Sequence, residues 1–201
     1  MEDKNGSAFI PKDQANRLNP LLGQVDSLAN RGALVFLQAK EGDRKKWTTE
    51  AIGLIEGKGT KVLRLDLSGE RTLGGFTTKM VDRLPPDLRS QLGELPDFSE
   101  RKSFDPNQTN AGARVLVRLA AVLTGNEQHA VLVFENLDRA EVDFPERFFL
   151  ALNTWKPLAG PDSVGNSALA EKGTGVLLTA GANPFNPELE RKIRDKFVLI
   201  T

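Results

Sequence analysis

The stretch VLVFENLD, residues Val131–Asp138, decides the fold class of this 201-residue chain. Its four leading residues are apolar and rich in β-branched and aromatic side chains, which is typical of a strand buried on both faces. Acidic residues follow at once. In parallel sheets the ligands bind outside the carboxyl ends of the strands. The stretch therefore predicts a central strand with a polar site at its end.

Similar apolar runs recur along the chain, and segments with helical spacing separate them. The predicted strands are Ala33–Gln38, Lys61–Leu67, Ala130–Glu135, Gly175–Ala180 and Phe197–Ile200. The predicted helices carry apolar residues three or four apart, within Leu21–Leu28, Trp47–Ile55, Leu73–Leu84, Val115–Leu123 and Phe148–Trp155. Strands that alternate with helices predict a five-stranded parallel sheet flanked by helices, a three-layer α/β sandwich.

The length fits one domain with a real core. We expect a flexible N-terminal segment over 1–18 and a single domain over 19–201. Ser68–Asn110 is predicted to be a long excursion with one helix, and Gly160–Lys172 to be a surface loop.

Composition excludes several classes of function. A formal net charge of +0 gives no bulk attraction to nucleic acid or anionic lipid. The chain has no cysteine, and His129 is its only histidine, so thiolate sites, histidine-based metal sites and serine triads are not supported. No apolar run is long enough to span a membrane. We expect a cytoplasmic protein that binds no specific nucleic acid, no membrane and no metal.

The turn after the first strand is where a phosphate-binding loop, G-x-x-x-x-G-K-[ST], would lie. With Lys45 on the motif lysine, Ala39 takes the first glycine, Arg44 the second and Lys46 the hydroxyl position. An arginine crowds the path that glycine leaves open to phosphate, and a lysine cannot ligate magnesium. A solvated basic turn is the competing interpretation, and the commoner one for such a cluster.

The end of the central strand has the form of a Walker B element. Glu135 takes the position that holds magnesium through water, and Asp138 keeps its carboxylate. Asn136 replaces the glutamate that polarises the attacking water, and an amide cannot accept that proton. Helix caps or solvated acids at a strand end are the alternative interpretation.

From Asn19 to Thr201 the chain resembles the AAA-like ATPase domains of bacterial STAND (signal transduction NTPase) proteins. The most specific part lies within Ala130–Lys156, where VLVFENLDRAEVDFPERFFLALNTW is similar to the family's hydrophobic strand, acidic turn, DFP motif and Phe-rich helix. Lys61–Leu67 is similar to the strand that follows the first helix. The resemblance also implies a polar γ-phosphate sensor at Asn183.

The departures at Arg44, Lys46 and Asn136 imply an inactive relative. We expect a non-catalytic regulatory or protein-interaction module of a bacterial signalling or defence system, with a protein partner or self-association and no cofactor. Two alternatives stay open. One is a weak ATP-binding domain, with Lys45 on phosphate and Glu135 or Asp138 near magnesium. The other is an ATPase that uses noncanonical residues.

Family members continue after the fifth strand into a helical lid and usually a winged-helix domain. This sequence stops at Val198–Thr201, where that strand would finish. We therefore expect the lid to be absent from this chain, either because other domains of a larger protein are missing or because the core works without it. Ser68–Asn110 is the candidate contact surface.

Overall fold

The computed structural model describes five parts of the chain, residues 19–95, 106–124, 129–155, 174–194 and 197–201. The predicted N-terminal segment 1–18 and the predicted loop Gly160–Lys172 lie outside the described residues.

A parallel sheet of five strands forms the centre of the described structure. The strands are β1 Leu34–Gln38, β2 Lys61–Asp66, β3 Ala130–Glu135, β4 Thr174–Ala180 and β5 Val198–Ile200. Their spatial order is β2-β3-β4-β1-β5, and every neighbouring pair is parallel. All five predicted strands are confirmed, each within one residue at either end. The carboxyl ends of β1, β3 and β4 lie side by side.

Seven helices and two short 3-10 turns surround this sheet in the described ranges. The helices are α1 Val25–Arg31, α2 Glu41–Gly57, α3 Leu73–Arg83, α4 Pro86–Gln91, α5 Pro106–Thr124, α6 Phe144–Trp155 and α7 Pro187–Arg194. The 3-10 turns are Pro20–Gln24 and Leu137–Arg139.

The two faces of the sheet bury different sets of side chains. One face packs against α1 and α2 through the branched residues Val35, Leu37, Val131, Val133 and Leu177. The other face packs against α3, α5, α6 and α7 and includes most of the buried phenylalanines. The predicted three-layer arrangement is confirmed.

Phenylalanines from three elements join the second face to its helices. The rings of Phe134 on β3 and Phe148 on α6 have centroids 4.9 Å apart in an edge-to-face arrangement. Phe76 on α3 lies 5.1 Å from Phe148. Phe148 and Phe149 are both buried in this core.

Helical structure extends further than the sequence pattern predicts. α4 and the first turn of α5 lie inside the predicted excursion Ser68–Asn110, and α7 was not predicted. α7 is short, and only Leu189 and Ile193 face the core. Two apolar residues four apart are too weak a pattern to identify a helix from the sequence.

Candidate functional site at the strand ends

The connection between β1 and α2 consists of two residues, Ala39 and Lys40. Ala39 continues the sheet pairing, since its N–H donates to the carbonyl oxygen of Ala180 at 3.1 Å. The N–H of Arg44 donates to the carbonyl oxygen of Lys40 at 2.8 Å, the first i to i−4 bond of the helix. The strand therefore passes into the helix within two residues, which leaves no room for a phosphate-binding loop.

The early helix start has a physical cause in its first turn. Glu41 and Asp43 place carboxylates at the N-terminus of α2, where the helix dipole stabilises negative charge. The two motif positions that would need glycine hold Ala39 and Arg44, so the backbone has no special freedom to leave the helix. The same two carboxylates oppose a phosphate at this helix end.

The helix turns Arg44 toward the sheet and its neighbouring lysines away from it. Arg44 is buried, whereas Lys45 and Lys46 are exposed. The residue predicted to contact phosphate therefore lies on the outer face of α2. The inward position belongs to the residue that the sequence identifies as an obstacle to phosphate.

The Arg44 guanidinium reaches the end of the central strand. Its Nη2 donates to Oδ1 of Asn136 at 2.8 Å. Its Nη1 lies 3.6 Å from Oδ1 of Asp138, with side-chain exposures of 5% and 17%. Among the described residues, neither Nη1 of Arg44 nor Oδ1 of Asp138 has a hydrogen-bond partner, although both atoms are buried. The ion pair is close but incompletely hydrogen-bonded.

Asn136 connects this pair to the neighbouring strand. Its backbone is left-handed, with φ 59° and ψ 40°, a conformation that asparagine tolerates better than most residues. Its Nδ2 donates to Oδ1 of Asp66 at 3.0 Å. One amide thus joins the end of β2 to the arginine of α2.

Asp66 is held in its ionised form. Burial raises the pKa of Asp66. Hydrogen bonds from Asn136 and from the N–H and hydroxyl of Ser68, at 2.9 and 2.7 Å for Ser68, lower the pKa and together outweigh the effect of burial. The positive charge of Lys79 acts in the same direction, and the resulting pKa lies below the ordinary value of 3.8. Asp66 was not predicted as a site residue. Its register opposite Glu135 is the only signal that could have found it.

Glu135 makes a different set of contacts from the one expected of a magnesium ligand. Both of its oxygens accept hydrogen bonds from Arg64, from Nε at 3.1 Å and from Nη2 at 2.9 Å. The two side chains stand on adjacent strands on the same face of the sheet. The carboxylate is therefore engaged by a fixed cation.

Glycine at position 181 leaves room for the ion pair. A Cβ on Gly181 would lie 2.7 Å from Nη1 of Arg44 and 2.9 Å from Oδ2 of Asp138. The next residue donates its N–H to that same Oδ2, at 3.3 Å from Ala182. The Asp138 carboxylate is thus held between Arg44 and the turn after β4.

Asn183, the predicted sensor, is used by its own turn. It is exposed, and its Oδ1 accepts a hydrogen bond from the N–H of Phe185 at 3.1 Å. In the described ranges no three acidic or histidine side chains come together in a way that could hold a metal ion. No helix there is both long enough and apolar enough to cross a bilayer.

Solved structures give an independent view of the architecture. The chain is similar to Cdc6p from Pyrobaculum aerophilum, at 11% identity and a TM-score of 0.54, over 100% of this chain and 48% of that one. The chain has an AAA-like P-loop NTPase fold. It also matches the Aeropyrum pernix Orc1 protein solved in complex with DNA, at 13% identity and a TM-score of 0.48, over 95% of this chain and 45% of that one. It thus spans about half the length of both proteins. No family model and no curated protein matches it.

In this AAA-like fold, the structure brings only part of the predicted site together. Arg44, Asn136 and Asp138 meet at the carboxyl ends of β3 and β4, and Asp66 joins them through Asn136. Lys45 and Lys46 lie outside the cluster. Glu135 and Asn183 are committed to other partners. The cluster does not fit a magnesium nucleotide, since a guanidinium occupies the space and its carboxylate is already paired.

Proposed function

We propose that this chain is a non-catalytic AAA-like module whose nucleotide position is filled by its own Arg44. The observation that carries the proposal is the Arg44 guanidinium, buried between Asn136 and Asp138 at the strand ends. The module would serve regulation or protein interaction in a bacterial signalling or defence system in the cytoplasm.

Both the charges and the backbone at the end of β1 oppose phosphate binding. A phosphate needs converging N–H groups and an accessible cation. Here the strand passes into the helix within two residues, and Glu41 and Asp43 stand at the helix start. Arg44, the one buried cation of α2, already forms an ion pair with Asp138. A nucleotide would have to separate this pair and leave a buried carboxylate unpaired, which is costly.

Hydrolysis needs a positioned base, and the position of the motif glutamate holds Asn136. Asn136 cannot accept a proton, and its amide is used on both sides, toward Arg44 and toward Asp66. Glu135 has both oxygens bound by Arg64. The carboxylates of Asp66 and Asp138 face Asn136 and Arg44, so neither takes the place of that glutamate.

A module that does not hydrolyse nucleotide can act only if a ligand changes how much of the protein is in each of its conformations. A partner that binds one arrangement better than another shifts that equilibrium by its differential affinity. We propose a protein partner or a second copy as that ligand, since the net charge of +0 gives no general attraction to nucleic acid. The segment Ser68–Asn110, of which the structure describes residues 68–95 and 106–110, is the proposed contact region.

Calorimetric titration with Mg·ATP tests the proposal. We expect no binding in the micromolar range by the wild-type chain. Micromolar binding would contradict the proposal that Arg44 fills the nucleotide position and would favour the weak ATP-binding domain. Phosphate release that disappears in Lys45→Ala would instead support an active ATPase, because Lys45 is the motif lysine in that alternative. Lys58→Ala, on an exposed surface ion pair with Asp26 at the far end of α2, is the matched control.

A further inference from the structure

The cluster at the strand ends has the chemistry of a cation site. The Arg44 guanidinium is surrounded by the Asp138 carboxylate, the amide oxygen of Asn136 and Gly181, which has no side chain. The net charge that these neighbours leave is negative. The Asp66 carboxylate behind Asn136 adds to that field, since the pKa of Asp66 is already held below its usual range.

Arg44 uses this site incompletely. Its Nη2 has a good hydrogen bond to Asn136 at 2.8 Å, but its Nη1 stands 3.6 Å from Asp138 Oδ1 and donates to nothing described. The acceptor Oδ1 is equally unsatisfied, and both atoms are buried. A guanidinium that is free to orient can present two parallel N–H donors to one carboxylate, the arrangement that carboxylates bind best.

The backbone of α2 limits how well the Arg44 guanidinium can face Asp138. Arg44 comes from a helix whose first hydrogen bond is fixed at Lys40, so the guanidinium is restricted to the positions that this backbone allows. Gly181 leaves the ion pair uncrowded on the side of the β4 turn. The site thus has the charge and the polar groups for a guanidinium, but it holds its own arginine without the second hydrogen bond to Asp138.

We propose that the strand-end site is a guanidinium site, occupied in cis by Arg44, and that it takes a guanidinium-bearing ligand in trans when Arg44 is withdrawn or removed. The ligand class is an alkylguanidinium, which includes an arginine side chain of a partner. This inference rests on the proposed function, because both require Arg44 rather than phosphate at this place. It adds the sign of the ligand: a planar cation and not an anion.

The experiment uses the full chain with Arg44→Ala and methylguanidinium as the probe. Thermal unfolding is followed with increasing methylguanidinium chloride, against sodium chloride at equal ionic strength. We expect millimolar methylguanidinium to raise the Tm of Arg44→Ala by a few degrees, because a ligand that binds only the folded state stabilises it. The wild-type chain, whose site is filled, should show no such rise.

Two comparisons identify the site. In Arg44→Ala/Asp138→Asn the carboxylate charge is gone, and the rise should disappear. Sodium phosphate should raise the Tm of Arg44→Ala no more than that of the wild-type chain, because the charge left in the site is negative and only the general salt effect remains. An equal methylguanidinium response in the double variant, or a larger phosphate response in Arg44→Ala than in the wild type, would overturn the proposal.

Arg44→Gln provides a second variant should Arg44→Ala fail to fold, since glutamine keeps the first part of the arginine stem, is uncharged and is too short to fill the guanidinium position. The same methylguanidinium response is expected, and its absence in every folded variant overturns the inference. That failure is distinct from failure of the proposed function. Binding of Mg·ATP by the wild-type chain overturns the proposed function, whether or not methylguanidinium raises the Tm. If Mg·ATP does not bind and the methylguanidinium response is missing, only the guanidinium site is overturned.

Discussion

Arg44 differs from the other basic residues of its helix in what surrounds its charge. Lys45 and Lys46 extend into solvent, whereas the Arg44 guanidinium is enclosed by groups from the ends of β3 and β4. A buried cation is tolerable only while its counter-charge remains. The stability of the whole strand-end region therefore depends on one carboxylate, that of Asp138.

Removing that carboxylate should be costly. We expect Asp138→Ala to lower the free energy of unfolding by about 3 kcal/mol, because Arg44 would keep its charge in a buried place without a partner. Urea denaturation measures the change. The control is Glu141→Ala, which breaks an exposed pair with Arg71 and should cost less than about 0.5 kcal/mol. Equal effects of the two substitutions would contradict a buried, stabilising ion pair.

Gly181 makes a separate prediction about the same contact. An added Cβ would approach Arg44 Nη1 to 2.7 Å and Asp138 Oδ2 to 2.9 Å, so Gly181→Ala should force the two side chains apart. We expect a loss of stability of about 1–3 kcal/mol. In a variant that already carries Arg44→Ala, most of this loss should vanish, since the closest atom is gone. Additive losses would show that Gly181 acts through something else.

Asp66 should confer acid sensitivity. Its pKa in the folded protein lies below the ordinary 3.8, so its stabilising effect is complete above that value and is lost as the pH falls below it. We expect the free energy of unfolding of Asp66→Asn to fall less steeply with decreasing pH in this acid range. Around neutral pH, its dependence on pH should be the same as in the wild type. Urea denaturation at a series of pH values checks this. An unchanged acid slope would contradict the assignment.

Two glycines show how differently the same substitution acts on two elements. Gly53 lies inside α2 with nothing within 4 Å of an added Cβ, so Gly53→Ala should stabilise the protein by about 1 kcal/mol through helix propensity. Gly175 lies in β4, where a Cβ would be 2.3 Å from the backbone oxygen of Leu28 in α1. Gly175→Ala should destabilise by about 1–3 kcal/mol, because helix and strand would have to separate. Effects of the same sign, measured by thermal unfolding, would contradict this packing.

At the same scale, the sequence predicted the strands better than the site. β1, β3 and β4 are apolar on both faces, and that pattern is sufficient to locate a central strand. The start of α2 was missed because comparison with a phosphate-loop motif assumes a loop before any helix. The burial of Arg44 could not be predicted, since Asn136 and Asp138 lie more than ninety residues further along the chain.

The whole molecule combines an NTPase architecture with a strand-end cluster that favours cations. The sheet order and flanking helices are those of the AAA-like fold, and the two apolar cores contain none of the strand-end residues Arg44, Asn136 and Asp138. Assembly with a partner or a second copy is the proposed use of such a core.

Self-association is a prediction for the intact chain. We expect the mass measured by light scattering after gel filtration to rise with protein concentration, and to do so equally with and without Mg·ATP. Reversing a charge in the proposed contact region should reduce this rise in mass. Arg83→Glu at the end of α3 is the suitable variant, because the other basic residue of that helix, Lys79, pairs with Glu70. A strict monomer at every concentration would count against self-assembly and leave a heterologous protein partner.

The most direct test of the central claim observes the Arg44 guanidinium itself in solution. Nitrogen-15 spectra of the arginine side chains, assigned with Arg44→Lys, should show Arg44 Nη signals separated by slow rotation of a bonded, buried group. We expect millimolar Mg·ATP to leave these signals unchanged, because Arg44 occupies the place that a nucleotide would need. Loss or displacement of the Arg44 signals on addition of Mg·ATP, with the other arginines unaffected, would show that nucleotide enters the site and would contradict the account.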